Sequence, residues 1–393
     1  MRTLTFAVSL LLSASAAPAG EIVIRSDAGA LDLSQRRFIH AFVGGAAPQQ
    51  LASLAGYANL PGAAAYLRAA DDRSRERLWK HAAGEPIVIV VRDDRREIGI
   101  AVEEQEWLDY LVRNHEEFEK TMPGFSESWL ATTAPLGRFT FADLVWRKGA
   151  TLSPGTYPPF DASLRPELGR SYVFWKNVLE SSWFGRQIYP AAREAFHDSA
   201  LRELKPEGLS RWYATRFLMD RIGAEVAGDV PLRETMGDLY DPLSVAKADV
   251  LAPIAAEWLA EKGLRPRAEV GEDAVAAAAM SFYALADVKR GGAPAAHETA
   301  SKLVLAWLHR EKALRQDRAT KKWMLDLPRL MPAFRSLAAE ILRAEASGDP
   351  AAVAKLFDAN PMPKAMERAI EAMAKVPRES NTARFESQGV LLP

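Results

Sequence analysis

Residues 296–302 read AHETASK, and His297-Glu298 is how the zinc-peptidase helix HExxH begins. Such a helix works because residues i and i+4 share a face, so two imidazoles converge on one metal ion. Here the i+4 position is Ser301, a poor zinc ligand, and the next histidine is His309. At about 100° per residue His309 lies roughly 120° around the helix axis from His297, so the two cannot share an ion. A second pair, His115 and Glu119 in NHEEFE (114–119), stands at i and i+4 and can in principle co-ligate a metal, although the surrounding acids have the pattern of a solvated helix face. His40, His81 and His197 are isolated. No G-x-S-x-G elbow, phosphate-binding loop or G-x-G-x-x-G run is present, and Gly44-Gly45 and Gly291-Gly292 read as turns.

The elements that must position these residues follow from patterning. EIVIRS (21–26) alternates weakly as a short strand, and residues 31–80 read as helical, broken by Gly44-Gly45, Pro48 and Pro61-Gly62. PIVIVVRD (86–93) and EIGIAV (97–102) read as a hairpin across a charged turn. In residues 103–121, Trp107, Leu111 and Phe118 mark an apolar helical stripe. Residues 131–170 are rich in Thr, Gly and Pro and read as a long connection, followed by the extended SYVFWKNVL (171–179). From about 187 to 376 the pattern is helical. Val250, Ile254 and Trp258 share a face that ends at Gly263. Phe334, Leu337, Ala338, Ile341 and Leu342 form another that ends at Gly348, and Asp349-Pro350 reads as the cap and first residue of the next helix. Met366, Ile370 and Met373 line a last helix, and AVAAAAM (274–280) suits a buried one.

Composition narrows the function classes. The 393 residues are 48% hydrophobic and 26% charged, the profile of a folded globular chain. Lys+Arg is 50 and Asp+Glu is 51, which argues against an electrostatic nucleic-acid footprint. There is no cysteine, which excludes disulfides, thiolate nucleophiles and cysteine zinc sites. The N-terminus MRTLTFAVSLLLSASAAPAGE has a basic Arg2, a short apolar run from Leu4 to Leu12 and the small-x-small signal Ala17-Pro18-Ala19. This reads as a secretory signal peptide cleaved near Ala19, leaving a periplasmic or secreted protein that is not integral to a membrane.

Taken together, the second half resembles the dipeptidyl-peptidase III family of zinc metallopeptidases, over about residues 170–376. The landmarks run in order: YVFWKNVLESSWFGRQIYPAAREAF (172–196), RFLMDRIGAEVAG (216–228) where the family has its His-Glu-x-x-His helix, and LSVAKADVLAPIAAEWLAEKGL (243–264) where it has Glu-Glu-x-x-Ala-Asp. GGAPAAHETASKLVLAWL (291–308) and LDLPRLMPAFRSLAAEILRAEASGDPAAVAKLF (325–357) follow. The resemblance implies a mainly α fold with a multi-helical metallopeptidase-like domain; with the boundary placed in the connection at 131–170, that domain runs over 151–393, after a smaller mixed α/β part over 20–150 and the signal peptide at 1–19.

The departures from the family pattern fall on its chemistry. By the resemblance, Asp220 stands where the first zinc-binding histidine belongs, Arg221 at the catalytic glutamate and Ala224 at the second histidine. Ser244 and Val245 replace the glutamate pair, while Asp249 is retained. Alanine and valine cannot ligate a metal, and arginine stays protonated and cannot act as a general base. The expectation is a lost zinc site with no cofactor and no catalytic residue, in which Arg221 and Asp249 form an ion pair or hydrogen-bonded cluster. His297 then becomes a candidate contact to a bound peptide, or equally a satisfied helix-start histidine. The function expected is that of an exported, catalytically silent relative that binds a peptide or protein partner in the former active-site cleft. An active metal-dependent hydrolase using a non-standard site, and a structural module without a cleft ligand, are the alternatives.

Overall fold

The computed structural model describes residues 22–26, 38–43, 87–92, 95–102, 104–123, 136, 138–149, 154–156, 171–223, 226–227, 230–377 and 383–387. The chain divides into two compact units. One comprises Met1–Gln105, Gly137–Ser182 and Glu379–Pro393; the other comprises Glu106–Leu136 and Trp183–Arg378.

The first unit is built on a mixed sheet. Its strands are β2 (Phe38–Val43), β3 (Ile87–Arg92), β4 (Arg95–Ala101), β5 (Arg138–Gly149), β6 (Gly155–Thr156) and β7 (Ser171–Trp175), in the order β2-β3-β4-β5-β7-β6. The β3–β4 hairpin pairs Ile87 with Ile100 and Ile89 with Ile98, as the alternation requires. β1 (Ile22–Ser26) pairs in parallel with β12 (Ala383–Ser387). Two sequence expectations need correction. Residues 38–43 are a strand within the segment read as helical, because FIHAFV is a short run of β-branched and aromatic residues that a longer window averages away. The segment read as a connection contains the long strand β5, where Phe139, Phe141, Ala142 and Leu144 are buried. The Thr, Gly and Pro content that suggested a loop lies mostly on either side of it.

β7 leads into a π-helix, Val178–Ile188. At this junction the Asn177 amide clasps the backbone of Leu144, accepting from its N–H at 3.0 Å and donating to its carbonyl at 2.8 Å. The Asn177 N–H donates to Asp143 at 3.2 Å, and Lys176 pairs with Glu104. Burial pushes the Asp143 carboxyl up to about 6, against the pull of Lys176 and of the Asn177 N–H.

The second unit is helical. Its helices are α1 (Gln105–Arg113, apart from its first residue), α2 (His115–Thr121), α3 (Tyr189–Ala195), α4 (Asp198–Glu203), α5 (Pro206–Met219), α6 (Leu232–Met236), α7 (Tyr240–Glu261), α8 (Arg267–Lys289), α9 (Ala295–Arg310), α10 (Leu327–Ser347), α11 (Pro350–Asp358) and α12 (Lys364–Lys375). Two short hairpins interrupt them: β8 (Val226–Ala227) with β9 (Val230–Pro231), and β10 (Leu314–Gln316) with β11 (Trp323–Leu325). The fold is mainly α, as expected.

α7 and α8 form the centre, since both are buried on most sides, including Ala274 to Met280 throughout. Each large apolar side chain enclosed there contributes about 1.5–3 kcal/mol of burial free energy. Helix punctuation follows the sequence. Gly348 closes α10 in the left-handed region at φ 63°, and the Asp349 side chain caps α11 by accepting from the Ala351 N–H at 2.9 Å. Among the described residues no helix is long and apolar enough to cross a membrane.

Candidate functional site

α5 begins with Pro206 at a first-turn position, where a missing N–H costs nothing, and is buried along most of its length. Its end carries the residues of interest. Asp220 is the C-cap and Arg221 follows in the closing turn, its N–H bonded to the Leu218 carbonyl at 2.9 Å. α7 supplies Ser244, Val245 and Asp249 from its first three turns, and α9 supplies His297 from its first turn. Ala224 lies outside the described residues.

The structure brings Asp220 and Ser244 together: the Ser244 hydroxyl donates to Asp220 Oδ1 at 2.7 Å. Asp249 is engaged by Arg216, one turn before Asp220 on α5, through the Arg216 Nε. Burial alone would lower the Arg216 pKa; the charge and hydrogen bond of Asp249, with Asp220 behind it, raise it instead. The guanidinium also lies over the rings of Trp212 and Phe217, at 5.9 and 5.6 Å.

A feature of α7 explains how Asp249 is held. Pro253 lies inside the helix and lacks the N–H that would bond the Asp249 carbonyl four residues earlier. The Trp212 indole N–H supplies a long replacement to that carbonyl, at 3.4 Å. Asp249 is thus fixed to α5 from both its backbone and its carboxylate.

A second buried pair sits next to the first. Lys247 Nζ meets Glu345 of α10 at 2.5 Å, with side chains 4% and 2% exposed. Burial works against the Lys247 charge, and Glu345, Tyr240 and Asp220 together raise its pKa. Tyr240 is raised by burial and by Glu345 and Asp220, while Lys247 opposes this. Gly223 closes over the pair at φ +115°, and a Cβ there would come within 2.8 Å of Glu345 Oε2 and 2.9 Å of Lys247 Nζ. Only glycine satisfies both the backbone angle and the space. Asp220 is the hub, within electrostatic reach of Arg216, Lys247, Tyr240 and His297.

His297 is half-buried and its pKa is lowered, first by burial and then by Arg216, with Asp249 and Asp220 pulling the other way. It belongs to the same cluster as Asp220, Asp249 and Arg216. Ser301, one turn on, is fully buried in the helix packing. The expected pairing of Arg221 with Asp249 is not present. Arg216 holds Asp249 because, one turn before Asp220, it lies on the inward face of α5, whereas Arg221 falls beyond the helix end. Arg221 makes no side-chain hydrogen bond or ion pair among the described residues, and its Nε is shielded from solvent without a partner. Val245 is half-buried and has no polar atom to offer.

The sequence reading did not single out Arg216, Tyr240, Gly223 or Glu345, and treated Lys247 only as a landmark. Arg216 had a signal, since it stands four residues before Asp220 on one helix face. Glu345 had none, because it comes from a distant helix.

Whether these groups would suit a zinc ion is a matter of donor chemistry. Asp220 already accepts from Ser244 and Asp249 is held by a guanidinium. Arg216 and Lys247 place two positive charges beside the position. A zinc site needs at least three nitrogen, sulfur or oxygen ligands from the protein, and among the described residues no three His, Cys, Asp or Glu side chains are placed to hold a metal. The donor set does not fit the ion. The other pair weighed above, His115 and Glu119, lies on α2; the His115 ring is 3.0 Å from the Val112 carbonyl and Glu119 is buried.

No protein-family model and no curated protein matches the chain. Solved structures do. Dipeptidyl-peptidase III (DPP III) from Caldithrix abyssi superposes with a TM-score of 0.69 at 18% identity, over 86% of this chain and 70% of that one. Dipeptidyl-peptidase III from Corallococcus sp. strain EGB superposes with a TM-score of 0.60 at 16% identity, over 86% of this chain and 67% of that one. The chain therefore has a dipeptidyl-peptidase III-like fold, in which Asp220, Ser244 and Asp249 belong to a cluster paired from within the chain.

Proposed function

We propose that this protein is an exported, catalytically silent relative of the dipeptidyl-peptidases that binds a peptide at the former catalytic centre, with the zinc site lost. The observation that carries this reading is the pairing of the centre's carboxylates with the chain's own groups: Asp220 with Ser244, Asp249 with Arg216 and Glu345 with Lys247. The base position is held by Arg221, and a guanidinium offers hydrogen-bond donors only. A donor set that does not fit zinc leaves water here without that Lewis acid, and Asp220 and Asp249 are committed to Ser244 and Arg216. What remains is a polar cluster of half-buried Asp220 and His297 over the buried Ser244, on a helical frame, suited to holding a ligand rather than cutting it.

The test is made on purified full-length protein. Elemental analysis is expected to find zinc well below one equivalent, and dipeptidyl-arylamides to be left uncleaved with or without added zinc. One equivalent of zinc together with chelator-sensitive cleavage would sink the proposal. Export is checked separately by the intact mass of a periplasmic fraction, expected to match a chain that begins at Gly20; a full-length mass there would count against it.

A further inference from the structure

We infer that the β10–β11 hairpin is a docking surface for an anionic phospholipid bilayer, to which the protein binds peripherally whether or not its zinc site is lost. Residues 312–329 hold six cations, Lys312, Arg315, Arg318, Lys321, Lys322 and Arg329, against Asp317 and Asp326, in a chain whose formal net charge is −1. Both carboxylates are used from within. Asp317 accepts from the Thr320 N–H at 2.6 Å and from its hydroxyl at 2.8 Å, which closes the turn. Asp326 gathers Arg315 at 2.8 Å and Arg329 at 3.5 Å. Lys312, Arg318 and Lys321 are exposed and make no side-chain hydrogen bond or ion pair among the described residues.

The backbone points the same way. Among the described residues, Lys312 and Lys321 are the two non-glycine residues with positive φ, both at 60°. Glycine or asparagine suits that region better, so local folding does not account for lysine at both positions. The hairpin is held by its other face. Leu314 and Trp323 are buried, the Trp323 carbonyl accepts from the His197 N–H at 2.9 Å, and Lys322 Nζ donates to the Arg193 carbonyl at 2.7 Å. Arg315 and Met324 pair in register and share the opposite face. Beside Asp326, Leu327 is 40% exposed, one of three large apolar side chains so exposed among the described residues. Cations around an exposed apolar side chain match anionic headgroups over an apolar layer. A nucleic-acid duplex offers the charge without that layer.

The test sediments purified full-length protein with vesicles of phosphatidylcholine alone, or of phosphatidylcholine and phosphatidylglycerol in equal parts. Wild type is expected to partition onto the mixed vesicles at least about tenfold more strongly, and to be released as added salt screens the charges. Each Lys or Arg near such a surface is worth about fivefold, so the triple variant Lys312→Asn, Arg318→Gln, Lys321→Asn should lose at least about tenfold. Asparagine suits φ 60°, so its urea unfolding should match wild type and the loss will not be one of folding. The control Lys289→Gln, Lys364→Gln removes exposed lysines outside the hairpin and should change partition by less than about twofold. Leu327→Ser should weaken it severalfold with the salt dependence kept. No partition onto the mixed vesicles, equal partition onto both kinds, or full binding by the triple variant would each overturn the inference. So would displacement by poly-glutamate or a short DNA duplex at matched charge while Leu327→Ser binds like wild type, since the partner would then be an acidic macromolecule and not a bilayer.

Discussion

Helix α5 carries two charge clusters, and they differ in what they leave over. Toward its start, Arg211 meets Glu272 at 2.5 Å and Asp273 at 3.2 Å, and Arg265 meets Asp273 at 2.9 Å and Glu269 at 3.2 Å. Arg265 also lies over the Trp107 ring at 5.0 Å. At its end, Arg216 and Lys247 meet Asp220, Asp249 and Glu345. Each cluster sets two cations against three carboxylates. The first is closed around Asp273, which is 0% exposed and meets both guanidiniums, with Glu269 and Glu272 half-buried at its edge. The second has no fully buried aspartate at its centre: Asp220 is half-buried, and Arg221, next in sequence, has an Nε with no hydrogen-bond partner among the described residues. A cluster closed around a buried carboxylate holds helices in register, whereas half-buried polar groups keep a face that solvent can reach.

The sharpest way to break the comparison is in the closed cluster. Asp273→Ala strands Arg211 and Arg265 in the helix packing, and removing one partner of a buried ion pair costs about 3–5 kcal/mol. Urea unfolding followed by tryptophan fluorescence should shift strongly to lower denaturant or show no folded baseline. A loss below about 1 kcal/mol would mean that the cluster contributes nothing to the fold. The open cluster has a counterpart in Lys247→Met, which leaves Glu345 charged and buried and should cost about 3 kcal/mol. Adding Glu345→Leu removes the stranded charge, so the double variant should return to within about 1 kcal/mol of wild type. If the double variant is as unstable as the single one, the pair is not the unit of stabilisation described.

How much of this was legible beforehand depends on the range of the interaction. Helix ends were legible, because Gly348 and Asp349 act on backbone groups within a few residues of themselves. So was the β3–β4 hairpin, whose period-2 alternation is local. β5 was not, since its Thr, Gly and Pro surroundings resemble a loop and its partners β4 and β7 come from elsewhere in the chain. At the site, the positions came from ordered landmarks, and the structure gathers Asp220, Ser244, Asp249 and His297 into one cluster. Their partners were illegible. Nothing local says that Glu345 reaches Lys247, or that Pro253 frees a carbonyl for Trp212. Arg216 and Arg221 both stood as arginines near an aspartate, and only the phase of the helix decides which one faces Asp249.

A third charged group, in the sheet unit, sharpens the contrast between a carboxylate held by a cation and one that is merely enclosed. Asp143 is raised to about 6 by burial despite Lys176, whose ammonium is bound to Glu104. A carboxyl whose folded pKa lies above its unfolded value takes up a proton on folding. Its contribution is therefore most favourable below about pH 4, is lost as the pH rises toward 6, and stays flat above that. Asp143→Asn should remove this slope and stabilise the protein at pH 7.5 by roughly 2 kcal/mol. The check is the difference in thermal midpoint between variant and wild type from pH 4 to 8, expected to grow with pH and then level off. A difference independent of pH would mean that Asp143 is ionised throughout.

The smallest effect on stability is expected at Arg221. Arg221→Gln removes a charge that no other described side chain uses, so the unfolding midpoint should move by no more than about 0.5 kcal/mol. The shielded Nε makes a slight gain as reasonable as a slight loss, since the variant no longer keeps an unsatisfied donor. Measured beside Asp273→Ala, this is the test of the opening contrast. If Arg221→Gln costs several kcal/mol, Arg221 is a member of a closed cluster like Arg211, and the two ends of α5 do the same job. If it costs nothing, the end of α5 carries a strongly charged group that the fold does not need.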